Sequence, residues 1–305
     1  MPLVNMKALL KDAQEKNYAV GSFSVANLEM IQGVVKAAEE TKSPIILQIA
    51  EVRLNHSPLK IIGPAMLAAA KNASVPVAVH LDHGTTLECI GEALRLGFTS
   101  VMFDGSHLSF EENIEKSKEV VSMAKPYGAA VEAEIGCVGG SEDGSEDIAI
   151  NCTSPVQAAE FFEKSKVDAL AVAIGNAHGN YKETPKLRFD ILEKTASLVP
   201  VPLVLHGGTG ISPDDFRKCI SLGIHKINIA TATFDSVENS VRTAYENGEI
   251  NWKKYEKIAV NGLKYGGINI TSAEMWADGA VYAEGVWFDE NTTAYKVTAN
   301  QQGKL

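Results

Sequence analysis

Short apolar runs rich in Val, Ile and Ala recur eight times along the chain, each followed by a longer segment with helical periodicity, and this alternation constrains the fold more than any other feature. The runs predict strands over residues 18–25, 44–51, 75–81, 100–104, 129–135, 169–175, 202–206 and 226–230. Helices are predicted over 28–41, 59–72, 87–96, 110–125, 155–164, 189–198, 213–222 and 233–245, with one amphipathic helix ahead of the first strand. Strands that are apolar almost throughout suit a parallel sheet covered by helices. Eight consecutive strand-helix units suit closure better than an open doubly wound sheet, so the fold class is α/β, a (β/α)8 TIM barrel. No Gly-x-Gly-x-x-Gly follows the first strand, which argues against a dinucleotide-binding sheet.

A barrel accommodates 305 residues as a single domain, with the barrel over about 18–247 and a C-terminal extension over about 248–305 that holds Trp252, Trp276 and Trp287. The connection after the fifth strand, 136–153, is too long and polar for a simple linker; with Gly139, Gly140, Gly144, Glu142, Asp143, Glu146 and Asp147 it reads as an active-site loop. A formal net charge of −10 argues against general nucleic-acid binding. The first residues lack the pattern of a secretory signal, and Cys89, Cys137, Cys152 and Cys219 form no C-x-x-C pair; both point to a reducing, cytoplasmic location.

In a barrel the chemistry lies at the C-terminal ends of the strands. There the sequence reads His80-Leu81-Asp82-His83-Gly84, Asp104-Gly105-Ser106-His107, Glu132 and Glu134, Gly175-Asn176-Ala177-His178-Gly179, and His206-Gly207-Gly208-Thr209-Gly210. Neutral imidazole is the commonest protein ligand for zinc, and a catalytic zinc keeps three protein ligands and an open position. Four of the seven histidines, His83, His107, His178 and His206, fall just past strands, which makes a metal site the better reading over rim histidines that merely hydrogen-bond. His80 and His107 read as structural, and His56 and His225 as surface or loop residues. Asp82 can sit beside His83 either to orient an imidazole or to act as an acid or base. The turns after strands seven and eight, through Gly207-Gly208-Thr209 and Asn228-Ile229-Ala230-Thr231, lead into helices and suit a phosphate. Lys226, at the beginning of the predicted eighth strand, stands at the wrong end of the barrel for a Schiff-base nucleophile.

These motifs, in this order and over about residues 1–245, resemble the class II, metal-dependent fructose- and tagatose-bisphosphate aldolases. The resemblance includes Val131-Glu132-Ala133-Glu134-Ile135-Gly136 and Lys226-Ile227-Asn228-Ile229-Ala230-Thr231. It implies that His83, His178 and His206 bind Zn2+, with Glu134 and Asp104 as an alternative or second cation position. It further implies that Asp82 donates a proton to the aldehyde oxygen, and that Glu142 removes one from dihydroxyacetone phosphate held by Gly179, Gly207, Gly208, Thr209, Asn228, Ile229, Ala230 and Thr231. Carbonyls near Ala177, Gly179 and Gly207 would take a monovalent cation, Na+ or K+.

The implied activity is reversible cleavage of a ketose 1,6-bisphosphate, foremost fructose 1,6-bisphosphate, through a zinc-stabilised enediolate. The implied assembly is a homodimer or homotetramer. Ser24 and Ala50 depart from the fructose-type pattern and Ala177 is nearer the tagatose type, so tagatose 1,6-bisphosphate or another ketose phosphate is the alternative substrate, with Arg53 or Lys182 as a further phosphate contact. A reading of another class, motivated by Ala50 and the altered tail, is a zinc-bearing scaffold or one subunit of a two-protein aldolase.

Overall fold

The computed structural model describes residues 2–140 and 149–248. Glu142 and the C-terminal extension therefore lie outside the described residues. Eight parallel strands close into a barrel in sequence order: β1 (Val20–Ser24), β2 (Ile45–Ala50), β3 (Val77–Gly84), β4 (Ser100–Phe103), β5 (Ala130–Ile135), β6 (Ala169–Val172), β7 (Leu203–Leu205) and β8 (Ile224–Ile229). Helix α1 (Met6–Lys16) precedes the barrel. Around it run α2 (Leu28–Thr41), α3 (Leu59–Asn72), α4 (Leu87–Leu96), α5 (Phe110–Ala124), α6 (Pro155–Ser165), α7 (Phe189–Leu198), α8 (Pro213–Ser221) and α9 (Thr231–Glu246).

The helices start where side chains satisfy their first N–H groups. Asn27 accepts from Met30, Thr86 from Cys89, and Ser109 forms a reciprocal capping box with Glu112. Helices α3, α7 and α9 differ, their N-cap residues Pro58, Arg188 and Ala230 giving no side-chain cap.

Strand residues of one parity face the helices and make the outer core with Phe23, Leu47, Val79, Val101, Val131, Leu170 and Ile227. The other parity fills the barrel. Its lower part is apolar, with Val20, Ile46, Ala78, Met102, Ala130, Ala171 and Val204 packed on Met6, Leu9, Leu10 and Ala13 of α1, which plugs the bottom. Above that lie Ser22, Gln48, His80, Ser100, Glu132 and Lys226, all buried. The strands are thus less uniformly apolar than their composition suggests: the helix-facing side is apolar, while the inner face of β1, β2, β3, β5 and β8 carries polar residues above the plug.

Three sequence readings change. β3 runs three residues beyond its predicted end, to Gly84. His225 is buried within β8, where its Nδ1 lies 2.9 Å from the Tyr18 carbonyl, and is no surface residue. Because β8 begins at Ile224, Lys226 lies inside the barrel below Asn228 instead of at the far end. No helix among the described residues is long and apolar enough to cross a membrane.

Candidate active site

Consecutive strand residues point to opposite faces, so Asp82 and His83 can share the barrel mouth only where β3 breaks its alternation. The register against β4 shifts between Leu81 and Gly84, and His83 takes a left-handed φ of +41°. That conformation costs a non-glycine residue on the order of 1 kcal/mol, strain of the kind that clusters at working sites. Gly84 completes the bulge. A Cβ there would lie 2.5 Å from the Met102 carbonyl, so glycine lets β4 approach, and the Gly84 carbonyl accepts from Asp104 N–H at 2.9 Å. Asp104 is thereby brought to His83, with Oδ2 2.7 Å from Nδ1.

His206 follows β7 and is fully buried, its Nε2 2.9 Å from Glu132 Oε1 and its Nδ1 2.9 Å from His83 Nε2. His178, in the loop after β6, brings its ring to 4.9 Å from that of His83 and 5.7 Å from that of His206. One potential ligand atom from each of these three residues lies within 4.8 Å of the other two, and the same holds for His83, Asp104 and Glu134.

The hydrogen-bond partners orient both rings. The outer nitrogens of His83 and His206 each face a carboxylate and donate to it, and the inner nitrogens, His83 Nε2 and His206 Nδ1, face one another at 2.9 Å. Either a proton shared between those two nitrogens or a cation lying against both satisfies them. Glu134 Oε2 is buried with no hydrogen-bond partner among the described residues. Imidazole nitrogens backed by carboxylates, with a vacant carboxylate oxygen nearby, make a donor set suited to a divalent cation such as zinc.

Electrostatics follow the same division. Burial acts to raise the Asp104 carboxyl, but the hydrogen bond and charge of His83, with Ser106, hold it well below the ordinary carboxylate range. Burial and the neighbouring Asp104 push Glu134 up to about 7, the opposite of what a bound cation would do. His80 is kept neutral, first by burial and then by Lys226; its Nδ1 lies 2.9 Å from Ser100 Oγ.

Asp82 is buried and gripped from two strands. Gln48 Nε2 donates to Oδ2 at 2.8 Å and Asn228 Nδ2 donates to Oδ1 at 3.1 Å. Gln48 also donates to Ser24 Oγ at 3.1 Å and accepts from Ser22 Oγ, so Ser24 serves to fix Gln48. Beside Asp82 opens a cleft lined by Gln48, His178, Gly179, Gly207, Thr209, Asn228, Ala230 and Thr231. The start of α9 borders it. Gly208 and Ile229 are not among the lining residues, and Gly208 N–H is already committed to the Asn228 carbonyl at 3.0 Å. Thr209 Oγ1 accepts from Ala232 N–H at 3.1 Å, tying the two phosphate-type turns together.

Gly207 has φ +62°, and a Cβ there would meet the Ala177 carbonyl at 2.1 Å, which is how the loops after β6 and β7 come into contact. Asn176, given no role by the sequence reading, and Tyr181, absent from it, join the same loops. Asn176 Nδ2 donates to the His206 carbonyl at 3.0 Å, and the Tyr181 hydroxyl accepts from Ala177 N–H and donates to the Gly207 carbonyl at 3.0 Å. The stretch leading to Glu142 is anchored beside a candidate ligand: His178 N–H donates to the Gly139 carbonyl at 2.7 Å, and Cys137 pairs with Asn151 across the base of the loop. Elsewhere at the rim, the Arg53 guanidinium lies 4.9 Å from the centre of the Phe234 ring of α9. His107 and His56 are exposed.

Residues 4–274 match the family model described as fructose-bisphosphate aldolase class-II. The fructose-bisphosphate aldolase of Staphylococcus aureus strain Mu50 is 42% identical over 252 residues, 81% of this chain and 87% of the relative. Among solved structures, the YdjI aldolase from Escherichia coli K12 superposes with a TM-score of 0.77 at 38% identity, covering 86% of this chain and 93% of that one. The fructose-bisphosphate aldolase of Campylobacter jejuni, at 22% identity, shares the fold with a TM-score of 0.69, over 86% of this chain and 92% of the other.

Proposed function

The chain belongs to the class-II fructose-bisphosphate aldolase family, a family of lyases, and from that premise we propose that it cleaves fructose 1,6-bisphosphate reversibly to dihydroxyacetone phosphate and glyceraldehyde 3-phosphate. The observation that carries the reading is the cluster of ring nitrogens of His83, His178 and His206, with Asp82 at the edge of the adjoining cleft. His83, His178 and His206 would hold Zn2+, with Asp104 and Glu134 offering a second position. When bound there, the ion supplies Lewis-acid stabilisation of the negative charge that carbon–carbon cleavage leaves on the ketose half.

The remaining work falls to the chain's own groups. Asp82, its carboxylate aimed by Gln48 and Asn228, exchanges the proton at the aldehyde oxygen: it takes it from the hydroxyl in cleavage and returns it in condensation. The base that removes a carbon-bound proton in condensation is assigned to Glu142. Gly179, Gly207, Thr209, Ala230 and Thr231 receive the phosphate at the start of α9, where the helix N-terminus favours negative charge. Gly208 acts from behind through its N–H on the Asn228 carbonyl, and Ile229 through the carbonyl that accepts from Thr233 Oγ1. Asn228 Oδ1, buried with no partner among the described residues, is an acceptor for a substrate hydroxyl. A monovalent cation would use the carbonyls of Ala177, Gly179 and Gly207, the last already accepting from Tyr181. A cytoplasmic homodimer or homotetramer completes the proposal.

Tagatose 1,6-bisphosphate is the second reading. It is favoured by Ala50, whose buried methyl group at the end of β2 offers the aldehyde half no hydrogen bond. Supplying both bisphosphates to zinc-loaded protein and following dihydroxyacetone phosphate release separates the two. Release from neither would end both readings.

A further inference from the structure

We propose that Lys226 is a positioning residue for the metal site, acting through Glu132 on His206. The inference rests on the metal-site reading above. Lys226 sits in the middle of β8, paired in register with Val20 and Val204 of the apolar plug, and its side chain is fully buried. Its Nζ lies 2.8 Å from Glu132 Oε2, an ion-pair contact outside ideal hydrogen-bond angles. The other oxygen of the same carboxylate, Oε1, lies 2.9 Å from His206 Nε2. One buried carboxylate thus bridges an ammonium and an imidazole whose far nitrogen points at His83.

Burying both charges costs several kcal/mol per ion before their attraction is counted, and such pairs often give no more stability than apolar residues of the same volume. Stability is therefore a poor reason for this pair to exist, whereas its link to His206 supplies one. Glu132 also faces His80, with Nε2 3.7 Å from Oε2, but burial and Lys226 itself keep that ring neutral, so it offers the carboxylate no charge. The ammonium compensates Glu132 and fixes its plane. Oε1 then stays on the His206 Nε2–H, and Nδ1 stays presented to the histidine cluster.

The test is Lys226→Met in the full chain, with zinc affinity measured by chelator competition, the cobalt(II) spectrum recorded, and the urea midpoint of the zinc-free protein measured beside them. The expected result is a folded protein with zinc affinity about 10–100-fold weaker and an altered cobalt spectrum. If Lys226→Met does not fold, the charge-free double variant Glu132→Gln/Lys226→Met is measured instead, with the same loss expected. Parent-like zinc affinity and cobalt spectrum in the folded variant, with only the zinc-free midpoint lowered, would overturn the proposal and leave the pair purely structural. A parent that binds no zinc would overturn the metal-site reading instead.

Discussion

His83 Nε2 and His206 Nδ1 face each other at 2.9 Å, while the opposite nitrogens of both rings are held by Asp104 and Glu132. Only the fold brings these nitrogens together, so a cation bound against both is a ligand of the folded state alone and is expected to stabilise it. Adding Zn2+ at about a hundredfold excess over its Kd should raise unfolding free energy by about 2.7 kcal/mol, a shift read directly in a thermal or urea melt. His83→Ala and His206→Ala should each lose that shift. Equal stabilisation of His83→Ala by zinc would show that the ion binds elsewhere.

Asp104 should matter through His83 even where it touches no metal. Its Oδ2 at 2.7 Å sets which nitrogen of His83 is bare and strengthens that nitrogen as a donor to a cation. Asp104→Ala is expected to weaken zinc binding about 10–100-fold, and Asp104→Asn, which keeps an acceptor, to weaken it less. Titration against a chelator ranks the three proteins, and an unchanged affinity in Asp104→Ala would remove this role.

Acid sensitivity has an identifiable contributor away from the site. His225 is buried in β8, and burial lowers its pKa, partly offset by its hydrogen bond to the Tyr18 carbonyl. The folded state therefore resists a proton that the unfolded chain accepts near pH 6.5, so stability is lost as pH falls from 6.5 toward the depressed folded value. His225→Gln should cost about 0.5–1.5 kcal/mol at neutral pH through the altered hydrogen bond, yet lose less stability than the parent on acidification. Urea midpoints at about pH 7.5 and about pH 5.5 give the comparison, and parallel losses in both proteins would assign the acid sensitivity elsewhere.

The repeating apolar runs made the barrel legible because each strand must bury its helix-facing side, and the strand-end motifs made the histidines legible because barrels carry chemistry there. What escaped was the interior. Ser22, Ser24, Gln48, Glu132 and Lys226 look like isolated polar residues in apolar strings until each is set in its own strand's alternation, where Ser22 shares its parity with Ser24, His80 with Asp82 and Lys226 with Asn228. That parity places them on one face, but closure and shear decide which strands bring them together, and no local pattern encodes those. The three-residue error at the end of β3 has a local cause, since a bulge with a left-handed His83 leaves no periodicity to read. His225 and Lys226 were misjudged because β8 starts two residues earlier than its apolar run suggests.

Gln48 offers the sharpest test of how the site is aimed. Its amide donates to Asp82 Oδ2 at 2.8 Å and to Ser24, while Ser22 donates back to it, so its orientation is fixed and so is that of the carboxylate. Asp82→Asn removes the proton-exchanging group, and kcat should fall about 10²–10⁴-fold with zinc content unchanged. Gln48→Met keeps the carboxylate but deletes one of its two named donors, leaving Asn228 to hold Oδ1. Misplacement of a reacting group by about 1 Å costs on the order of a hundredfold, so Gln48→Met should lower kcat by up to that factor while leaving zinc affinity untouched. If Gln48 only filled space, Met of similar volume would preserve kcat, and the loss in Asp82→Asn would then stand without a positioning partner on β2.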